Sequence, residues 1–155
     1  MMSGCPGSRM MAFEKSDAPE GAVGSVPSQL RQWPIQLHLV SPQAPYFQGA
    51  DVVLAADCVP FAMGDFHSAY LKGKALAIAC PKLDGDQEVY VEKLRALYED
   101  AKINSLTVTI MQVPCCRGLL GMAMQALKAS SRKVPVKSVI VSLQGEVLQE
   151  DWATV

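Results

Sequence analysis

Two short runs without a single polar residue, VVLAA at 52–56 and ALAIA at 75–79, constrain this chain more than any other feature. A strand that is apolar at every position has no face to offer to water. Such strands belong to parallel sheets covered by helices on both sides. Parallel neighbours in turn need a connection that runs back along the sheet, usually a helix. Helix-length segments occur where that rule wants them. Strands are expected at Ile35–Val40, Val52–Asp57, Ala75–Cys80, Leu106–Val113 and Val136–Leu143. The first and fourth, QLHLV and LTVTIMQV, alternate polar with apolar residues and belong nearer an edge. A helix is expected over Gln87–Ala101, opened by Asp84 or Asp86, with Val91, Leu94, Tyr98 and Ala101 recurring on one face. A second runs over Cys116–Ser131, turning Leu119, Leu120, Ala123, Met124 and Leu127 inward and placing Lys128, Arg132 and Lys133 at its electronegative end. A short helix around Asp65–Leu71, closed by Gly73, links the second and third strands.

The fold class that follows is α/β: a single three-layer domain with a mostly parallel sheet of about five strands, Rossmann- or flavodoxin-like, spanning residues 28–150. Residues 1–27 are rich in Gly, Pro, Ser and Ala without helical or strand period, and read as an irregular, flexible tail or linker. Residues 151–155 read as a loose C-terminus, with the loosening beginning near Gln149. The doubled Met at the start fits a first residue placed ahead of an internal position, so a longer natural protein is expected.

Charge and hydropathy exclude several classes. Fourteen Lys and Arg against fifteen Asp and Glu leave a formal net charge of −1, which excludes nucleic-acid binding through bulk positive charge and attraction to an anionic membrane surface. No run approaches the roughly 20 apolar residues of a membrane helix, and the start lacks a signal-peptide pattern. A cytoplasmic protein is expected. Five cysteines, an odd number in a chain with an ample core, argue against a secreted disulfide scaffold and for metal or redox chemistry.

The cysteines fall in one kind of place. Cys58 follows VVLAAD, Cys80 follows ALAIA, and Cys115 and Cys116 follow LTVTIMQVP. Each lies at the carboxyl end of an expected strand, and in a parallel sheet those ends open on one edge. Adjacent strands are about 4.8 Å apart, so thiols from neighbouring ends can share one metal or small cluster. Pro60, Pro81 and Pro114 stand near them and stop the ladder there. Cys116, at the start of a helix, is expected to have a lowered thiol pKa. Any one of these cysteines alone reads as a small core residue; the coincidence of four carries the argument. There is no CxxC knuckle and no CxxCxxC run, and both adjacent cysteines reach one centre only if the chain turns between them.

Three further residues are candidate auxiliaries. His67 is a possible ligand or proton donor, against the alternative of an ordinary half-buried helix residue. Asp57 orients a ligand or caps a turn. Lys82 offsets the charge of an anionic cluster or is simply a solvated loop lysine. No GxGxxG follows a strand, and no GxxxxGK[ST] loop or GxSxG elbow is present. The loop after the first strand, SPQAPYFQG, lacks the Ser, Thr and Gly run of a flavodoxin-type mononucleotide site.

The stretches SQLRQWPIQLHLVSPQAPYFQGADVVLAADCVPFA, HSAYLKGKALAIACPKLD and VPCCRGLL, with Gly4-Cys5-Pro6-Gly7 in the tail, resemble the C-terminal domain of small bacterial ferredoxin-type iron–sulfur proteins. The N-terminal module with two cluster motifs that accompanies this domain in the family is missing from the sequence. The resemblance implies a 4Fe-4S-type cluster on Cys58, Cys80, Cys115 and Cys116, and a fused or neighbouring ferredoxin module or other redox partner protein. The expected function is therefore iron–sulfur electron transfer rather than stand-alone catalysis. A structural zinc site in an interaction module is the first alternative. A metal-free thiol switch or cysteine enzyme is the second.

Overall fold

The computed structural model describes residues 9–14 and 25–153. In chain order the elements are β1 (Met11–Ala12), β2 (Gln32–Trp33), a 3-10 turn at Pro45–Phe47, β3 (Asp51–Ala56) and α1 (Val59–Ala62). A five-residue π-helix at His67–Leu71 precedes β4 (Ala75–Ala79), α2 (Gln87–Glu99) and β5 (Ser105–Met111). A second 3-10 turn, Pro114–Cys116, runs into α3 (Arg117–Ala129), followed by β6 (Val136–Val141) and β7 (Val147–Ala153).

Five strands form one sheet in the order β4-β3-β5-β6-β7. The first four are parallel, and β7 runs antiparallel to β6. Sequence patterning explains the centre of the sheet. Val52 to Ala56 of β3 are all buried, as its unbroken apolar run requires. From β3 the chain steps to one side to make β4, then crosses back to make β5 on the other. Right-handed crossovers place α2 and α3 together on one face and the 59–72 connection on the opposite face. The packing of α2 on α3 agrees. There the buried Tyr98 hydroxyl donates to the Ala123 carbonyl at 2.9 Å, and Leu94, Leu97, Leu119, Ala123 and Leu127 fill the layer. The fold is thus the α/β, mostly parallel architecture expected. No helix of the described residues is long and apolar enough to cross a membrane.

Three expectations are corrected. Ile35–Val40 is not a strand: only Gln36 bridges Ile78, after which the N–H groups of Leu39 and Val40 turn back to the Gln36 carbonyl at 2.8 and 3.0 Å. Lys93 of α2 causes the turn to hold, its Nζ donating to the carbonyls of Leu37, His38 and Val40 at 3.0, 2.7 and 2.9 Å. The C-terminus read as loose is β7. A tight turn through Gly145, at φ +89°, returns the chain onto β6, where Lys137 pairs with Glu150 at 2.7 Å and lies over the Trp152 ring. Part of the tail read as irregular is ordered too, since Met11–Ala12 pairs with β2. Residues 1–8 with Cys5, 15–24 and 154–155 lie outside the described residues. The linker helix expected around Asp65–Leu71 is present as the π-helix His67–Leu71, with Gly73 closing the segment at φ +76°, and α1 precedes it as a further element.

Candidate functional site at the carboxyl edge of the sheet

β4, β3 and β5 are direct neighbours, and each is followed by a cysteine. The connection after β3 leaves toward one face and that after β5 toward the other, so the ends of these two strands form a topological switch point. This topological switch point is where open α/β sheets bind ligands. Cys58 occupies the position preceding α1, and Cys115 and Cys116 occupy the 3-10 turn that feeds α3. Cys80 follows β4 on the flank.

The four thiols, all free, differ in environment: Cys58 and Cys115 are exposed, Cys80 is half-buried and Cys116 is buried. Expectation and structure part at Cys116. Burial pushes its thiol up, a backbone hydrogen bond from Met111 opposes this, and the neighbouring Cys115 and Cys58 push it further up. Desolvation outweighs the helix terminus that was expected to lower it. The 3-10 turn supplies the bend between the adjacent cysteines. Among the described residues no three His, Cys, Asp or Glu side chains are grouped so as to hold a single metal ion.

Asp57 extends the β3 ladder by one bond, its N–H donating to the Ala79 carbonyl at 3.1 Å. Its Oδ1 is buried without a hydrogen-bond partner. Burial, and then the nearby Asp84, raise its carboxyl above the usual range. Lys82 is exposed. His67 is committed elsewhere: its Nδ1 accepts the Gln29 backbone N–H at 3.0 Å, which ties it to the segment before β2 rather than to the Cys58 loop.

The residue that sequence reasoning missed is Asp84. Read as a helix cap, it instead uses Oδ2 to accept the Cys80 N–H at 2.9 Å, Gln36 Nε2 at 3.1 Å and the Tyr90 hydroxyl. The signal was the spacing Cys-Pro-Lys-Leu-Asp, which lets a carboxylate fold back on the amide four residues earlier. Around this edge stand apolar residues with no core to fill: Phe61 after β3, Leu83 after β4 and Leu143 after β6, at 93%, 81% and 65% exposure. Pro81 packs close to the start of α3, where a Cβ at Gly118 would lie 3.2 Å from the Pro81 Cβ.

Comparison with known proteins gives the family of the fold. The family model of a Rossmann-like domain matches residues 44–155. An uncharacterized protein of Archaeoglobus fulgidus is 31% identical over 120 residues, 77% of this chain and 83% of that protein. No solved structure matches the chain. These findings overturn the resemblance to ferredoxin-type iron–sulfur proteins: the matching family is a Rossmann-like domain, and nothing in either match describes a ferredoxin. The ligand set drawn from that resemblance accordingly loses its support, and the cysteines stand on their geometry alone.

Proposed function

The chain belongs to the Rossmann-like domain family, and on that premise we propose that it is an electron-transfer protein whose centre lies on the carboxyl edge of the sheet. Cys58, Cys80 and one or both of Cys115 and Cys116 are the thiolates of that centre. One observation carries the reading: three adjacent strands are each followed, within four residues, by a cysteine around the switch point. Neighbouring strands are about 4.8 Å apart, so thiols that follow them are within reach of one small cluster. When bound, an iron–sulfur cluster supplies one-electron transfer. The protein's part is to hold the thiolates and to set the polarity and hydration around them. The exposed Cys58 and Cys115, with the exposed Phe61 and Leu83 following Cys58 and Cys80 in the chain, leave the edge open to a redox partner protein. Free cysteines suit a reducing compartment, the cytoplasm.

The test is iron, zinc and acid-labile sulfide content of anaerobically purified protein. Iron and sulfide in matching amounts, lost in Cys80→Ser with the far-UV circular dichroism unchanged, is the expected result. Zinc without sulfide would overturn the electron-transfer reading. The placement of adjacent Cys115 and Cys116 in one 3-10 turn favours one second reading, a metal-free dithiol. In it the two thiols form a vicinal disulfide by exchange with a low-molecular-weight disulfide, which takes up the two protons and two electrons and leaves as two thiols. Protein without metal that loses two hydrogens on treatment with oxidised glutathione would select it.

A further inference from the structure

The loop after β4 is held from three directions at once, and all three holds meet on one oxygen. Asp84 Oδ2 takes the Cys80 amide at 2.9 Å, Gln36 Nε2 from the segment beside β4 at 3.1 Å, and the hydroxyl of the buried Tyr90 from α2. The backbone closes the same loop, with the Asp84 N–H donating to the Cys80 carbonyl at 3.0 Å. Gln87 Nε2 reaches both the Pro81 carbonyl and, at 3.1 Å, that of Asp84. A half-buried carboxylate with three donors on one oxygen is more than turn formation needs, because the backbone bond alone defines the turn. What the extra bonds fix is the orientation of the Cys80 peptide and hence the direction of its Cβ.

We infer that Asp84 is the positioning residue of Cys80, locking its thiol toward the switch-point edge through the Cys80 amide, with Gln36 and Tyr90 holding the carboxylate in place. The inference rests on reading Cys80 as a thiolate of the centre. It adds the reason one flank cysteine, on a strand that borders only β3 within the sheet, keeps a fixed aim: its support comes from outside the sheet. Charge-assisted hydrogen bonds of this kind are among the stronger ones in proteins and are geometrically selective.

The experiment uses metal-free protein, so that it reads independently of any cluster. Iodoacetamide alkylation is followed at Cys58, Cys80 and Cys115 by peptide mass spectrometry in wild type, Asp84→Ala and Asp84→Asn. Removing the acceptor frees the loop, and Cys80 alkylation is expected to rise about tenfold in Asp84→Ala, the factor set by loss of one charge-assisted bond. Cys58 and Cys115 keep their rates. Asp84→Asn, which keeps an acceptor oxygen but no charge, is expected to stay near wild type. An unchanged Cys80 rate in Asp84→Ala overturns the inference. So does an equal rise at all three cysteines, which reports general loosening, or an Asp84→Asn rate matching Asp84→Ala, which reports charge rather than position. If Asp84→Ala does not fold, Tyr90→Phe and Gln36→Leu each remove one donor and are expected to raise the Cys80 rate alone, by a smaller factor; no change in either overturns it. Iron and sulfide content of anaerobic wild type tests the parent reading separately, since its absence leaves the alkylation result standing.

Discussion

Gln32→Ala is the sharpest test of how this sheet is finished at its β4 edge. Gln32 is fully buried, and its amide does the work of a missing strand. Nε2 donates to the Leu76 carbonyl at 2.7 Å and to the Pro34 carbonyl at 3.2 Å, while Oε1 accepts the Leu76 N–H at 2.7 Å. Two residues further on, Ile35 and Leu37 bond the backbone of Ile78 at 2.8 and 2.9 Å, so the side chain continues the edge pairing that the backbone begins. Truncation orphans both the donor and the acceptor of Leu76, itself only 4% exposed. An unsatisfied buried group costs about 1–3 kcal/mol. Taking the lower half of that range for each, because water can enter at a sheet edge, and adding about 1 kcal/mol for lost side-chain burial, the change comes to roughly 3–5 kcal/mol. For a domain of this size that is a fall in Tm of about 10 °C. Urea unfolding followed by circular dichroism measures it. A loss below about 1 kcal/mol would refute the reasoning, since it would mean that Leu76 finds equal partners without Gln32.

The remaining predictions concern a turn and a titration. Gly145→Ala places a Cβ 2.2 Å from the Ala62 carbonyl oxygen at a position with φ +89°; because the obstacle is backbone, either α1 or the β6–β7 turn must move. A loss of about 3 kcal/mol or more in urea unfolding is expected, and a value within 1 kcal/mol of wild type would contradict it. At Asp51, hydrogen bonds from Ser105 and then Asn104, each 2.7 Å long, lower the carboxyl below its ordinary value. A depressed folded value stabilises above the unfolded value of about 3.9 and is lost as pH falls through the folded one. Asp51→Asn, which resembles the protonated acid, is therefore expected to be less stable than wild type at neutral pH, by no more than about 1 kcal/mol given solvent screening. The gap should close below about pH 4, and a gap constant from pH 7 to pH 3 would remove the titration from the account.

Hydrophobic period gave the reach of β3, β4, β5, β6, α2 and α3 to within a few residues. β3 and β4 were legible because an unbroken apolar run has few ways to be satisfied, and α2 and α3 because their apolar residues recur at helical spacing. Their inward faces were partly misjudged: Tyr90, Leu97 and Met122 are buried, while Val91, Leu120 and Met124 are only half so. Ile35–Val40 carries strand-like alternation, yet Lys93, more than fifty residues later, gathers its carbonyls into a turn. β7 was missed because VLQEDWA is almost wholly exposed and its pairing depends on a returning turn rather than on burial. The candidate site divides the same way. That four cysteines close strands was visible in the order of residues. Asp84's grip on Cys80 involves Gln36, 48 residues away, and Gln32's on Leu76 spans 44, separations at which local pattern carries no information.

By itself, then, the sequence determined the layers: which segments are strands covered on both faces, which helices return along the sheet, and that the thiols sit at strand ends. Only the tertiary structure decided that β4, β3 and β5 are neighbours, which brings those ends together on one edge, and that Cys116 is buried while Cys58 and Cys115 face solvent. The physical reason is that periodicity records how far each element is buried, whereas several strand orders with right-handed crossovers bury the same residues equally well. The choice among them is made by contacts between distant segments, and those exist only once the chain has closed on itself.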